Sequence, residues 1–360
     1  MKPTYCYVGC YTTEFRQARG KGIRTYRADP SSGKWELIQE IPVAPIVNPS
    51  FLAFSSNRKF VFSSHGEHTE ASSYKIDPQT GKLELYNRVP TGGYNGAHIA
   101  VARKRPYAFV SNYFSGGVAA IRLNEDGSLG SLTDTFEPQG RNGALLRQQY
   151  SHPHQITEDP NDRYLICCDL GKDLVYTLDF DEKTGKFELV HTLSTTPAMC
   201  PRHMVFHPSA KFAYILAEHL GGLMSCSYDA ETGELKPFQL ISSIPDTAVG
   251  FVNDGAEIAM HPNGRFVYIS NRGHDSICAF SIDQQSGRAE VVGWYKTGGS
   301  SPRFFTLDES GKFIAAGNEQ GDSIVVFRIN QDTGELLKPV IVAETPSPSC
   351  ILIDGPLPDV

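Results

Sequence analysis

The chain has 360 residues, of which 40% are hydrophobic and 20% are charged, and its formal net charge is −7. This composition is ordinary for a folded protein, and an acidic chain without a broad basic surface is not expected to bind nucleic acid or anionic membranes. No apolar run approaches the roughly 20 residues of a membrane span. The N-terminal residues predict a strand and lack the apolar core of a signal peptide, so we expect a cytoplasmic protein.

The first predicted element is a strand over residues 5–10, and from there a tight turn built around a glycine recurs seven times. The glycines are Gly33, Gly81, Gly127, Gly185, Gly233, Gly287 and Gly334, with successive spacings of 48, 46, 58, 48, 54 and 47 residues. Tight hairpin turns need a residue that tolerates positive φ. A repeat of this length with only strand-like segments inside predicts a β-propeller.

Each repeat contains four predicted strands, which are clearest in the sixth at residues 256–260, 266–270, 276–282 and 290–296. The first repeat has no innermost strand of its own. Residues 348–353 resemble the innermost strand at 49–54 and can supply it, which would leave the ring without an open edge. We therefore predict an all-β protein with a single domain over residues 1–360. That domain is a seven-bladed β-propeller whose first blade is closed by the C-terminal strand, with six or eight blades as the alternative.

The hairpin at residues 201–219 shows how the blades collect polar residues. Two antiparallel strands joined by a short turn place the start of the first beside the end of the second, so Arg202 and Glu218 should lie at one end of the ring. His207 and His261, each followed by proline, belong to turns at the opposite end. Two long insertions, at residues 139–150 and 246–255, precede innermost strands and fall at the end that holds Arg202. Long loops on one face of a fold are typical of binding sites.

Applying this placement to every blade collects polar side chains at one mouth of the central channel. The candidates for chemistry and binding are Asn112, His154, Arg202, His203, Glu218, Arg272, Arg303 and Asn318; Glu257 and Glu319 lie at the same end. Arginine pairs with carboxylate or phosphate, and His and Glu transfer protons near neutral pH. These residues predict a site for a small anionic molecule, unless the charges only pair with each other and tie the blades together.

The sequence contains no serine-nucleophile elbow, phosphate-binding glycine loop or zinc-protease helix. His152 and His154 have a short metal-like spacing, but proline separates them and no carboxylate cluster accompanies them. We expect no metal and no organic cofactor. The eight cysteines lie mostly in strand-like runs and are expected to be buried, reduced thiols. A closed propeller leaves no edge strand to pair, so a monomer is expected.

Four segments resemble the lactonase family of seven-bladed propellers. They are PRHMVFHP (201–208), HPNGRFVYISNRG (261–273), YVGCYT (7–12) and SHPHQITEDPNDRY (151–164). The family includes bacterial propeller-type 6-phosphogluconolactonases and fungal 3-carboxy-cis,cis-muconate lactonizing enzymes, and the resemblance covers essentially the whole chain. Matched motif by motif, it implies that His154, Arg202, Glu218 and Arg272 form the active site. His203, Asn112, Arg303 and Asn318 are predicted to bind the substrate.

The leading hypothesis is hydrolysis of an anionic sugar-acid lactone, with 6-phosphogluconolactone as the first substrate to consider. Arg202 and Arg272 would hold the anionic group and stabilise the oxyanion, and either His154 or Glu218 would take a proton from the attacking water. One alternative is a cycloisomerase that closes a carboxymuconate with the same groups. Another is a non-enzymatic propeller that binds a protein partner on its rim.

Overall fold

The computed structural model describes residues 3–42, 47–115, 117–248, 250 and 252–358. Within these residues the chain forms seven antiparallel sheets of four strands each. The innermost strands of successive sheets contact one another in an unbroken circle. This arrangement is a seven-bladed β-propeller, and the predicted fold class and blade number are confirmed.

The strands are numbered in chain order, and blade one is built from β28, β1, β2 and β3, counted outward from the channel. Each later blade uses four consecutive strands from β4 onward, the lowest number innermost. Through blade four the strands are β1 (Thr4–Cys10), β2 (Gly22–Ala28), β3 (Trp35–Pro42), β4 (Pro49–Phe54), β5 (Phe60–His65), β6 (Glu70–Ile76), β7 (Leu83–Pro90), β8 (Gly96–Val101), β9 (Tyr107–Asn112), β10 (Gly117–Leu123), β11 (Leu129–Phe136), β12 (Pro153–Glu158), β13 (Tyr164–Asp169), β14 (Leu174–Asp181) and β15 (Lys186–Ser194).

The remaining strands are β16 (Pro201–Phe206), β17 (Phe212–Ala217), β18 (Gly222–Asp229), β19 (Glu234–Ser242), β20 (Asp254–Met260), β21 (Phe266–Arg272), β22 (Ser276–Ile282), β23 (Ala289–Lys296), β24 (Pro302–Leu307), β25 (Phe313–Asn318), β26 (Ser323–Arg328), β27 (Val340–Glu344) and β28 (Pro348–Asp354). Short 3₁₀ helices span Glu14–Arg16, Leu146–Gln148 and Asp246–Ala248. All three lie in connections, and the last two fall inside the predicted insertions.

The C-terminal strand closes the ring as predicted. β28 runs antiparallel to β1, with Val8 opposite Ile351 and Tyr5 opposite Asp354. Both Val8 and Ile351 are fully buried in a cluster shared with the last blade. Closure in this way removes the unpaired sheet edge that an open ring would expose.

The second strand of each blade is buried on both faces because neighbouring blades pack against it from either side. β1, β5, β9, β13 and β25 have no partly exposed residue. The outermost strands instead alternate between solvent and the adjacent blade, as β15 does. The core is therefore a series of clusters between blades rather than one central mass, and the channel remains available for polar groups.

The glycine turns lock one blade to the next. All seven repeat glycines adopt positive φ, between 68° and 90°. A side chain on Gly81 would also clash, because its Cβ would lie 2.4 Å from the ring of Tyr5 in the preceding blade. The tyrosine hydroxyls donate to these turns: Tyr214 to the carbonyl of Gly287 and Tyr268 to that of Gly334, both at 3.0 Å. The periodic glycine thus serves both the turn and the contact between blades.

Candidate active site

A cavity of about 230 Å³ opens at the end of the channel where the innermost strands begin. This is smaller than the roughly 300–1,000 Å³ of pockets for drug-sized ligands, so the cavity suits a compact molecule. Its ionisable lining includes Arg16, Glu67, His154, Arg202, His203, Glu218, Glu257, Arg272 and Arg303. Aromatic side chains such as Phe51 and Phe304 complete the wall.

A β-bulge at the start of the innermost strand turns the key side chains toward the channel. The register against the neighbouring strand shifts between Pro153 and Gln155, which brackets His154. It shifts again between Pro201 and Met204, which brackets Arg202 and His203. Equivalent shifts bracket Glu257 in β20 and Arg303 in β24. Bulges re-aim side chains and are frequent beside active sites, and here the same device places one or two residues per blade in the cavity.

Three arginines converge on one carboxylate at the centre of the site. Glu218, which follows β17 directly, has its oxygens 3.0 Å from Arg202 Nε, 3.1 Å from Arg147 Nη1 and 3.3 Å from Arg272 Nη2. Glu218 and Arg202 are buried, with side-chain exposures of 8% and 4%. Asp254 Oδ1 also lies 3.6 Å from Arg147 Nη2, so two carboxylates face three guanidinium groups and one positive charge is left without a partner in this cluster.

The protonation of this cluster is set by its charges. Burial opposes ionisation of Glu218, but Arg272, Arg202 and Arg147 outweigh it and lower the pKa of the carboxyl. Burial and the nearby Arg272 lower the pKa of Arg202 to about 10, which still leaves the guanidinium charged at neutral pH. Glu218 is therefore a carboxylate and Arg202 a cation under ordinary conditions.

Some arginine N–H groups of the cluster lack an aligned hydrogen-bond acceptor. Arg202 Nε and Arg272 Nε are buried and find no aligned acceptor among the described residues. The short approach of Arg202 Nε to Glu218 is thus an ion pair without hydrogen-bond alignment. Buried donors without acceptors are costly, and an anion in the cavity would satisfy them.

Two further arginines at the mouth are already paired. Arg16 Nη2 lies 2.7 Å from Glu67 Oε1, and Arg303 Nη1 lies 3.6 Å from Glu319 Oε2. Both guanidinium groups also stack over the ring of Tyr11. The ion pair of Arg16 with Glu67 joins blades one and two, whereas Arg303 and Glu319 both belong to blade seven.

A chain of hydrogen bonds links His154 to blade six. His154 Nδ1 lies 3.1 Å from His203 Nε2, and His203 Nδ1 lies 2.9 Å from Glu257 Oε1. Burial and the charge of Arg202 hold the pKa values of both histidines well below their usual range. Burial raises the pKa of Glu257 to about 7 against the opposing effect of Arg202. His154 is therefore neutral, and with Nδ1 engaged by His203 it has Nε2 to offer a ligand.

Six of the eight predicted site residues line the cavity together: His154, Arg202, His203, Glu218, Arg272 and Arg303. Asn112 and Asn318 do not. Asn112 Nδ2 donates to the carbonyl of Thr91 at 3.0 Å, and Asn318 Nδ2 donates to Ser323 Oγ at 3.1 Å. Both asparagines are fully buried at strand ends and lie outside the cavity lining, so their contact with substrate stays a prediction.

Arg147 was not among the predicted site residues. It lies in the 3₁₀ helix Leu146–Gln148, inside the first insertion, and reaches both Glu218 and Asp254. The length of the insertion indicated that this loop contributes to a binding site. Its sequence, however, does not indicate that Arg147 reaches the site while Arg141 is exposed. Glu257 had been placed at the correct end of the ring without a role, and the structure gives it one as the partner of His203.

The remaining expectations about ligands concern metals, thiols and membranes. In the described part of the chain, no three His, Cys, Asp or Glu side chains converge so as to hold a metal ion. All eight cysteines are buried and unpaired. His207 and His261 each donate from Nε2 to a carbonyl in the corresponding turn of the next blade, to Gly264 O at 3.1 Å and to Gly311 O at 2.7 Å. Across the described ranges, no helix has the length and apolar character to span a membrane.

Comparison with known proteins agrees with the fold. Residues 5–353 match the model of the family described as Lactonase, 7-bladed beta-propeller. The chain therefore belongs to this family, and the resemblance inferred from its motifs is confirmed, as is the expectation of a lactonase-class enzyme.

The relatives are similar over nearly the full length. A Bacillus subtilis (strain 168) protein named 6-phosphogluconolactonase is 31% identical over 347 residues, covering 96% of this chain and 97% of its own. A Formosa agariphila protein of the same name is 31% identical, covering 84% and 86%. The solved structure described as the periplasmic gluconolactonase of Pseudomonas aeruginosa has a TM-score of 0.88 at 25% identity, covering 99% and 100%.

Proposed function

We propose that this cavity hydrolyses the lactone ring of an anionic sugar acid, with 6-phosphogluconolactone as the leading substrate. The observation that carries the proposal is the cluster of Arg147, Arg202 and Arg272 around the single carboxylate of Glu218, beside a neutral His154. Its surplus positive charge attracts an anionic group such as phosphate, which guanidinium groups bind through charged hydrogen bonds. The small cavity volume fits a six-carbon sugar acid, and the names of two relatives support the same substrate.

The reaction divides into tasks that these residues can perform. A water molecule donates a proton to His154 Nε2 while its oxygen attacks the lactone carbonyl carbon. Arg202, whose Nε–H lacks an aligned protein acceptor among the described residues, would stabilise the oxyanion. When the tetrahedral intermediate collapses, the bond to the ring oxygen breaks and that oxygen takes a proton, giving a hydroxy acid. Lactone and water are thus converted to product without an outside reactant.

His154 is a better base for this reaction than Glu218. The carboxylate of Glu218 is engaged by three guanidinium groups that lower its pKa, so it has little tendency to accept a proton. Neutral imidazole has a free lone pair and lies in the same cavity. We assign Glu218 to holding the arginines in position.

The two alternative functions fit less well. A propeller that only binds a partner on its rim requires the charges at the mouth to be paired internally, whereas the inner arginine cluster carries surplus charge. A carboxymuconate is also a polyanion, but the names of the similar proteins favour lactone opening over cycloisomerisation.

The test is to follow the opening of freshly prepared 6-phosphogluconolactone above its spontaneous rate. We expect rapid opening by the wild type, a fall in kcat of about 100-fold or more in H154A, and a fall in kcat of about 100-fold in R202A, which loses the group assigned to the oxyanion. The matched control is H191A, which removes a partly exposed histidine on the outermost strand of the same blade and should be unchanged. Full activity in H154A would remove His154 from the role of base.

A further inference from the structure

We propose that His203 and Glu257 form a proton relay behind His154, so that the proton taken from the attacking water comes to rest on Glu257. The inference builds on the hydrolysis proposed above and adds two residues to it. His203 and Glu257 act through His154 and are positioning residues in this scheme. Together the three side chains run from blade four through blade five to blade six.

The geometry is that of a continuous hydrogen-bonded chain. The distances are 3.1 Å between His154 Nδ1 and His203 Nε2 and 2.9 Å between His203 Nδ1 and Glu257 Oε1. All three residues are buried, with 6%, 1% and 6% exposure. Each stands at a bulge of an innermost strand. Three consecutive bulges therefore align their side chains into one path along the cavity wall, from blade four to blade six.

The chain fixes the tautomers of both imidazoles. A neutral imidazole has one donor and one acceptor nitrogen. When Glu257 is a carboxylate, Oε1 accepts from His203 Nδ1–H, which makes His203 Nε2 an acceptor. That nitrogen then accepts from His154 Nδ1–H, so His154 Nε2 carries the lone pair. The relay thus prepares His154 as a base at the nitrogen that can face the substrate water.

The site disfavours a proton that stays on either histidine as an imidazolium. Arg202 Nη1 lies 3.3 Å from His203 Nδ1 and 3.4 Å from Nε2, so the guanidinium stands almost equally close to both ring nitrogens. Two adjacent cations in a buried site repel each other. Glu257 has the opposite need, because burial favours its neutral form and raises its pKa to about 7. The carboxyl also has a second oxygen, Oε2, that is buried and finds no partner among the described residues.

The proposed step moves three protons in concert and balances. Water gives a proton to His154 Nε2, His154 gives its Nδ1 proton to His203 Nε2, and His203 gives its Nδ1 proton to Glu257 Oε1. Both histidines stay neutral and change tautomer, and Glu257 becomes a carboxylic acid. Reversal of the same path returns a proton through His154 Nε2 to the ring oxygen as the lactone bond breaks. Only protons move along the relay, so no oxidant or further reactant is needed.

Kinetics of the intact protein with 6-phosphogluconolactone test the relay. In E257Q the amide oxygen can still accept from His203, but the side chain cannot take a proton. We expect kcat to fall about 100-fold with KM within about 3-fold, and E257D to recover much of the loss. The control is E158Q, another buried glutamate, at the opposite end of β12 from His154 and paired with Arg105 at 2.7 Å, which should keep wild-type kcat.

The pH profile separates proton storage from simple orientation. The relay works only while Glu257 is ionised, so wild-type kcat should rise with pH around an apparent pKa near 7, and E257Q should lack this limb. The ionisable groups that face Glu257 are His98, Arg202, His203, Arg303 and Cys350, whose thiol stays protonated because burial raises its pKa. The arginines stay charged through this range and the two histidines stay neutral, so Glu257 is the group expected to titrate.

Nitrogen-15 NMR of histidine-labelled protein tests the arrangement without any substrate. At pH 8 both His154 and His203 should be neutral Nδ1–H tautomers, assigned with H154A and H203N. The opposite tautomer or an imidazolium at either position would overturn the relay, as would unchanged kcat in E257Q. If the wild type opened no lactone at all, the proposed function would fail and the relay's catalytic use with it. Wild-type activity with a fully active E257Q would overturn the relay alone.

Discussion

Arg147 Nη1 lies 3.1 Å from Glu218 Oε1, although Arg147 belongs to the connection between blades three and four and Glu218 to blade five. The other terminal nitrogen of Arg147 lies 3.6 Å from Asp254 Oδ1, where the connection into blade six ends. One guanidinium therefore joins both long insertions and contributes charge to the cavity. The two long insertions are therefore part of the site.

Replacing Arg147 should weaken substrate binding more than it slows the chemical step. R147A removes one of the three cations around Glu218 and lowers the surplus positive charge that attracts an anion. We expect KM for 6-phosphogluconolactone to rise about 10-fold and kcat to change by less than about 3-fold. R141A, in the same loop but exposed, is the control. Equal effects of the two substitutions would contradict a specific role for Arg147.

Neutralising Glu218 should change stability and anion binding in opposite directions. E218Q leaves the three guanidinium groups without their shared carboxylate, and breaking a buried ion pair is strongly destabilising. The variant should have a lower Tm than the wild type, yet bind inorganic phosphate more tightly because more positive charge is uncompensated. Calorimetric titration with phosphate, alongside thermal unfolding with and without it, measures both. Weaker phosphate binding by E218Q would count against the charge argument.

Four buried histidines predict that the protein loses stability as pH falls below about 6.5. Burial keeps the pKa values of His65, His98, His154 and His203 below their usual range, whereas the unfolded chain takes up protons near pH 6.5. The unfolded state therefore binds more protons below that pH, and stability falls. Glu257, whose pKa is raised to about 7, opposes the trend but is outnumbered by the four histidines.

The measurement is Tm from pH 7.5 to pH 5, a range chosen to stay above the titration of ordinary carboxylates. We expect a steady decrease in the wild type and a shallower one in H98N, which removes one of the four histidines at a position outside the cavity lining. A Tm that stays constant or rises on acidification would contradict the assignment of neutral buried imidazoles.

Ring closure by the C-terminal strand should be visible in the free energy of unfolding. Ile351 on β28 is fully buried opposite Val8, so I351A should cost about 2–5 kcal/mol. Ile341 on the outermost strand of blade seven is 52% exposed, and I341A should change stability by less than about 0.5 kcal/mol. Urea unfolding of both variants makes the comparison, and similar costs would argue against a closing role for β28.

Much of this architecture could be predicted because it depends on local patterns repeated along the chain. The turn glycines require positive φ, and the likeness of residues 348–353 to residues 49–54 predicts the closing strand. The same repeat places Arg202 and Glu218 at one end of a hairpin, and the structure brings them within 3.0 Å. Where a residue's position follows from strand order alone, sequence reasoning succeeds.

The features that could not be predicted from the sequence depend on contacts between blades. Asn112 occupies the expected end of its strand, but its amide donates to Thr91 and not into the cavity. Arg147 reaches Glu218 only through the fold of its insertion. The bulges around His154 and Glu257 have no evident marker in the sequence, yet they determine which side chains enter the channel. These arrangements arise from packing across the ring.

The most direct test of the central claim compares kcat/KM of the wild type on 6-phosphogluconolactone and on unphosphorylated glucono-δ-lactone at one pH and ionic strength. If the arginine cluster recognises an anionic lactone, the phosphorylated substrate should be preferred by about 100-fold, the equivalent of one or two charged hydrogen bonds. Equal values for both lactones, or no opening of either above the spontaneous rate, would contradict it.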